Sequence, residues 1–184
     1  MHNVRAGMVG LLVAVGWAHA GDFSLSSMDV PANGTLKLAQ VYAKDGCGGG
    51  NVAPALRWEG EPAGTRRFAI TVFDPDAPNG GRGWWHWLLL NIPANVHALP
   101  SHAGQPGGAV LPPGAYQLDN DFGEAGYGGA CPPKGNAPHR YVFTVWALKG
   151  DALDLPARAD GAAVRAALMR QSLGTATLTA RYGR

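Results

Sequence analysis

Apolar residues in this chain recur mostly at every second position or in short unbroken runs, and both arrangements belong to strands rather than helices. Phe23 to Asp29 alternates weakly and is expected to form a strand. Thr35 to Tyr42 alternates better, with Leu36, Leu38 and Gln40 set against Lys37, Ala39 and Val41, and is expected to form a second. Arg67 to Phe73 is rich in β-branched and aromatic residues and reads as a buried strand. Trp84 to Ile92 is apolar on both faces, which predicts an interior strand of a sheet, and Pro93 stops it. Arg140 to Leu148 is the third strong run, ended by Lys149-Gly150-Asp151.

Helical periodicity is convincing once. Asp160 is placed as an N-cap, Val164, Ala167 and Leu168 form an apolar stripe, and Gly174 is expected to stop the helix. Thr175 to Tyr182 then alternates as a last strand. Asp45 to Pro54 and Pro100 to Gly114 are Gly- and Pro-rich and read as loops. Two packed antiparallel sheets with a late helix are the simplest architecture for this order.

Composition agrees with a single β-rich domain. The 184 residues are 46% apolar and only 15% charged, which argues for a packed core and against disorder. Twenty-seven Gly and fourteen Pro suit many turns. The formal charge is +2 and no basic run occurs, so a nucleic-acid surface is not indicated.

The N-terminus has the form of a secretory signal. His2 and Arg5 precede an apolar run from Ala6 to about Trp17, and Ala18-His19-Ala20 fits a small-x-small cleavage pattern. Residues 1–20 are therefore expected to be a signal peptide and 21–184 the mature domain. The run is too short to span a ~30 Å hydrocarbon core, and no later segment is long and apolar enough to do so. Export across the inner membrane, to the periplasm, is the expected destination. Cys47 and Cys131 both lie in Gly-rich loops, and an even count in an exported chain predicts one disulfide.

Polar residues that break the strand pattern mark the site. Asp74-Pro75-Asp76-Ala77-Pro78 follows directly on a strand, and its prolines hold the two carboxylates stiffly. One of them could merely cap its own turn. His86 stands among Trp84, Trp85 and Trp87, and a desolvated imidazole needs a partner, which could be no more than a carbonyl. His139 opens the third strong strand after a loop whose backbone amides could form an anion-binding nest. Strand alternation puts His139 and Tyr141 on one face and Arg140 on the other, where it could pair structurally.

These three segments, Asp74-Pro75-Asp76-Ala77-Pro78, Trp84-Trp85-His86-Trp87, and Pro132-Pro133 through Gly135 to His139-Arg140-Tyr141, resemble the signature segments of the phosphatidylethanolamine-binding proteins, also called Raf kinase inhibitor-like proteins. Gly46 to Leu56 and Tyr127 to Cys131 resemble the bacterial branch. The resemblance implies a mainly β fold with a central antiparallel sheet, a second smaller sheet and a C-terminal helix. It also implies a shallow pocket for phosphate or a phosphorylated headgroup, formed by Asp74, Asp76, His86, His139 and Tyr141, with Trp84 and Pro132 as walls. Cys131 stands where eukaryotic members usually carry Gly, so a disulfide there would staple the rim. The imidazoles, the tyrosine hydroxyl and loop N–H groups are expected to donate to the anion, with the carboxylates in support.

The expected function is binding of a small anion, with a modulatory or inhibitory role toward a protein partner as a further expectation. A hydrolase using the His/Asp/Tyr pocket is the alternative. No Gly-x-Ser-x-Gly elbow and no free Cys nucleophile support it. No catalytic residue, cofactor or metal is assigned, although two histidines and a carboxylate could in principle hold a metal. Cytosolic kinases are out of reach of an exported chain, so that role is not carried over.

Overall fold

The computed structural model describes residues 22–106 and 110–184. The expected signal peptide and its cleavage site lie outside the described residues. Among the described residues, eight strands form two antiparallel sheets, accompanied by one α-helix. β1 (Ser24–Ser26), β2 (Leu56–Glu59) and β5 (Ala98–Leu99) make the small sheet, in the order β1-β2-β5. The large sheet has the order β6-β4-β3-β7-β8 and comprises β3 (Arg67–Asp74), β4 (Trp84–Pro93), β6 (Tyr116–Leu118), β7 (His139–Leu148) and β8 (Ser172–Tyr182). Helix α1 (Gly161–Gln171) precedes β8. This is the mainly β architecture expected from the sequence.

Three layers explain why β3 and β4 are apolar on both faces. One face of the large sheet meets the small sheet, and Leu56 and Trp58 pack there with Phe68, Ile70, Trp87, Leu89 and Phe143. The other face is covered in part by α1, where Val164 and Leu168 bury against Ala69, Trp85, Leu88, Leu90 and Trp146. Burial on both faces removes the polar half of the usual alternation.

Asp160 caps α1 as expected: its side chain accepts from the Ala163 N–H at 2.8 Å. Gly174 does not stop the helix. The helix ends at Gln171, Ser172 is already extended, and Gly174 lies within β8 opposite Ala147. A Cβ at Gly174 would stand 2.9 Å from Cγ of Pro62, so close packing accounts for the glycine.

Thr35 to Tyr42 is not a strand either. Leu38–Gln40 is a single 3-10 turn between two isolated parallel bridges, Thr35 to Arg181 and Val41 to Ala130. Leu38, set on one face with Leu36 and Gln40, is 62% exposed while those two are buried. The backbone groups here bond instead to the glycine loops, with the Gly49 N–H donating to the Tyr42 carbonyl and the Gly50 N–H to that of Leu38.

A β-bulge in β4 shapes the site. Val72 pairs with Trp87, but Phe73 pairs with Trp85, so His86 is the extra residue with no partner on β3. The bulge reverses the alternation beyond it. Trp87 faces the inner core, whereas Trp85, two residues away, packs on the helix side. Without the bulge both would point the same way.

Candidate functional site

The polar residues singled out in the sequence meet where β3 ends, β4 bulges and β7 begins. Asp74, Trp84, His86, Pro132 and His139 all line one cavity of about 650 Å³. Asp74 and His139 form a buried pair, with Nδ1 of the imidazole 2.7 Å from Oδ2 of the carboxylate. The carboxylate accepts, so Nδ1 carries the hydrogen and Nε2 is left for other partners. The Asn136 side-chain amide stands 3.5 Å from that Nε2. The second Asp74 oxygen accepts from the Asp76 N–H at 2.8 Å, which turns the chain out of β3.

Asp76 does not line the cavity. Its carboxylate is occupied by Arg140, accepting from the backbone N–H at 2.8 Å, from Nε at 2.9 Å and from Nη2 at 2.6 Å. These hydrogen bonds hold its pKa down at about 2. The pair ties the turn after β3 to the start of β7 and so fixes the spacing of Asp74 and His139. Arg140 takes the structural role expected of it.

Tyr141 is on the expected face but lies behind the cavity wall. It is buried, with its ring 5.1 Å from that of His86, edge to face. Burial raises its phenol pKa well above the ordinary value. It packs under His86 and has no place in the cavity lining.

His86 is 2% exposed. Its Nδ1 lies 2.8 Å from the Gly128 carbonyl, which can only accept, so the neutral ring carries its hydrogen on Nδ1. Nε2 is then a bare lone pair, and it has no hydrogen-bond partner within the protein. Burial pushes the ring's pKa down to about 4, so it stays neutral at ordinary pH. The expectation that both imidazoles donate to an anion is therefore corrected at His86: in this state Nε2 accepts. The Gly128 loop is held by Asn51, whose amide donates to the Tyr127 carbonyl at 3.0 Å and accepts from the Gly129 N–H at 2.7 Å.

Cys47 and Cys131 are disulfide-bonded, with their Cα atoms 5.7 Å apart, and Cys131 forms part of the rim. Sequence reasoning missed the Asp121–Phe122 wall and, more consequentially, Arg184. Arg184 donates from Nε to the Pro132 carbonyl at 2.6 Å and from Nη1 to the Gly46 carbonyl at 2.9 Å. It thus bridges the residues next to the two half-cystines. It is the sole Arg or Lys among the described residues of the cavity lining. Nothing local in the sequence marks it, because long-range carbonyls position it. Asp45 and Asp121 add carboxylates to the wall. Asp121 accepts from the Trp85 N–H at 2.8 Å, and burial raises its pKa. Among the described residues no cluster of three or more His, Cys, Asp or Glu is placed to hold a metal ion.

The sequence model of the family described as phosphatidylethanolamine-binding protein matches residues 26–183. The chain belongs to the phosphatidylethanolamine-binding protein family. The UPF0098 protein YbcL of Escherichia coli (strain K12) is 48% identical over 165 residues, which cover 90% of each chain. The crystal structure of E. coli YbcL, described as a new member of the mammalian PEBP family, superposes with a TM-score of 0.85 at 47% identity, covering 89% of this chain and 99% of that one. A Mycobacterium tuberculosis (strain ATCC 25618 / H37Rv) protein bearing a lipoprotein name, LppC, is 34% identical over 160 residues, 83% of this chain and 74% of its own. These relatives place the chain in the bacterial branch of the phosphatidylethanolamine-binding protein family, as its glycine loops suggested.

Proposed function

We propose that this chain is an exported, periplasmic binding protein for a small anion, phosphate or a phosphorylated headgroup, held in the cavity of Asp74, His86 and His139. The observation that carries this reading is the convergence of three strand ends on one cavity, each bringing a buried polar side chain. Such groups are normally satisfied, and a buried Nε2 on His86 without a partner in the protein points to a ligand. When His139 carries its second proton, its Nε2–H is a donor to the anion and Asp74 balances the charge. Arg184 adds a permanent positive charge at the rim, with guanidinium donors left over after its two carbonyls.

Export is supported by the leader-like segment, the disulfide, and a relative with a lipoprotein name. No helix among the described residues is long and apolar enough to cross a membrane. A modulatory role toward a protein partner would use the outer surface and is a separate property.

Calorimetric titration with inorganic phosphate and with phosphoethanolamine tests the assignment. His139→Ala is expected to weaken binding roughly tenfold or more and, because it leaves the buried Asp74 carboxylate without its partner, to lower stability as well. Equal affinity in the two proteins would place the ligand elsewhere. Turnover of a phosphoester lost in His139→Ala would favour a hydrolase instead.

A further inference from the structure

Resting on that reading of the pocket, we infer that the site selects an oxyacid that still carries a proton, which is donated to Nε2 of His86. The geometry leaves the imidazole little choice. Nδ1 is committed to the Gly128 carbonyl, so the neutral ring offers only a lone pair at its other nitrogen. That nitrogen is buried and unbonded within the protein, on a residue that lines the cavity. The ring cannot turn over to present a donor without leaving Gly128 O without its hydrogen bond, at a site Asn51 holds in place.

No neighbouring group supplies the missing hydrogen. Phe122 and Tyr141 pack edge-on to the ring, at centroid distances of 5.5 and 5.1 Å. The Tyr141 hydroxyl makes no hydrogen bond to Nε2. The charged groups facing the ring are Asp74 and His139 from β3 and β7, with Asp45, Asp121 and Arg184 further round the same cavity. Protonating the ring instead is opposed chiefly by its burial, which outweighs the attraction of Asp74.

A fully deprotonated tetrahedral anion would set an oxygen lone pair against the nitrogen lone pair. An anion with one acidic hydrogen makes a P–OH to Nε2 bond there, while its remaining oxygens face Arg184 and the Nε2–H that His139 presents when its ring carries a second proton. Inorganic phosphate keeps such a hydrogen at neutral pH. Sulfate, of the same shape, does not, and neither does a phosphodiester. The ligand chemistry is therefore inorganic phosphate, or a phosphomonoester in its singly protonated form, rather than the diester of an intact phospholipid headgroup.

The experiment is calorimetric titration of the disulfide-bonded chain at pH 7 with inorganic phosphate, sodium sulfate and dimethyl phosphate. Phosphate is expected to bind at least about tenfold more tightly than either of the others, the scale of one buried polar group left unmatched. Sulfate affinity should rise as the pH is lowered toward 5, because the hydrogen must then come from the ring. Sulfate or dimethyl phosphate binding as tightly as phosphate at pH 7 would overturn the inference while leaving anion binding intact. Failure of all three to bind would instead remove the reading of the pocket on which it rests. His86→Gln, whose amide can donate or accept, should bring phosphate and sulfate to within a few-fold of each other. Retention of the full preference in that variant would also count against the inference. The wild-type comparison decides the matter if the variant does not fold.

Discussion

His86 should make the stability of this protein fall on acidification, at a pH where its carboxylates are still ionised. Burial holds the folded ring at a pKa of about 4, against a usual value near 6.5. Between those two pH values the unfolded chain binds a proton that the folded chain refuses. Unfolding then takes up a proton, so stability falls as pH falls. The contribution is intact above about pH 6.5. Working the two pKa values through the linkage relation gives a loss of about 2 kcal/mol by pH 5 and about 3 kcal/mol by pH 4. The control is His86→Gln, which keeps a donor for the Gly128 carbonyl and does not titrate. Guanidinium unfolding of both proteins at pH 7.5 and pH 5 measures the effect. The wild-type advantage over the variant should shrink by about 2 kcal/mol between the two conditions. Every other titrating group is common to both proteins and cancels. An advantage that does not change with pH would show that the ring titrates alike folded and unfolded, and the buried neutral imidazole would have to be abandoned.

Other consequences can be checked separately. Asp76→Asn should cost about 1 kcal/mol at neutral pH, a figure discounted for partial exposure, and chemical denaturation would read it. Because Arg140 depresses the folded pKa of Asp76 to about 2, that contribution is present above about pH 4 and disappears as pH falls through 2; a cost that persists at pH 2 would contradict this sign. Arg184→Gln should weaken phosphate binding roughly tenfold and make the remaining affinity less sensitive to salt, as read by titration at two ionic strengths. Thiol titration of the unfolded, unreduced protein should find no free cysteine. Replacing Cys47 and Cys131 by Ser should cost up to about 4–5 kcal/mol in the chain-entropy model for a separation of 84 residues.

The strong strands were legible because a sheet covered on both faces writes itself as unbroken apolar runs, as in β3 and β4. The N-cap at Asp160 was equally plain. The misreadings have physical causes. The alternation over Thr35 to Tyr42 reflects bridging against glycine loops, and Gly174 reflects contact with Pro62. Strands as short as β2, β5 and β6 carry too few residues for a period to show. At the site, Asp74, His86 and His139 stood out as polar residues in apolar surroundings, and they do meet. Asp76 looked equivalent to Asp74 by spacing, but the chain turns between them and sends the second carboxylate to Arg140. Tyr141 shares the face of His139, yet two residues along a strand is about 7 Å, enough to place it behind the wall. The bulge at His86 could not be read, because it exists only in the pairing of β4 with β3.

The central claim is that a small anion occupies the cavity between Asp74, His86 and His139. Nitrogen NMR of the imidazole rings tests it most directly, since the chain from residue 22 onward has four histidines, His86, His97, His102 and His139. Two of these lie away from the cavity: His97 pairs with Glu61 at 3.0 Å and His102 stands 3.3 Å from the Gln105 amide. Titration with inorganic phosphate should move the ring signals of His86 and His139 together along one saturating curve and leave those of His97 and His102 in place. Shifts confined to His97 or His102, or none at any ring at saturating phosphate, would contradict it.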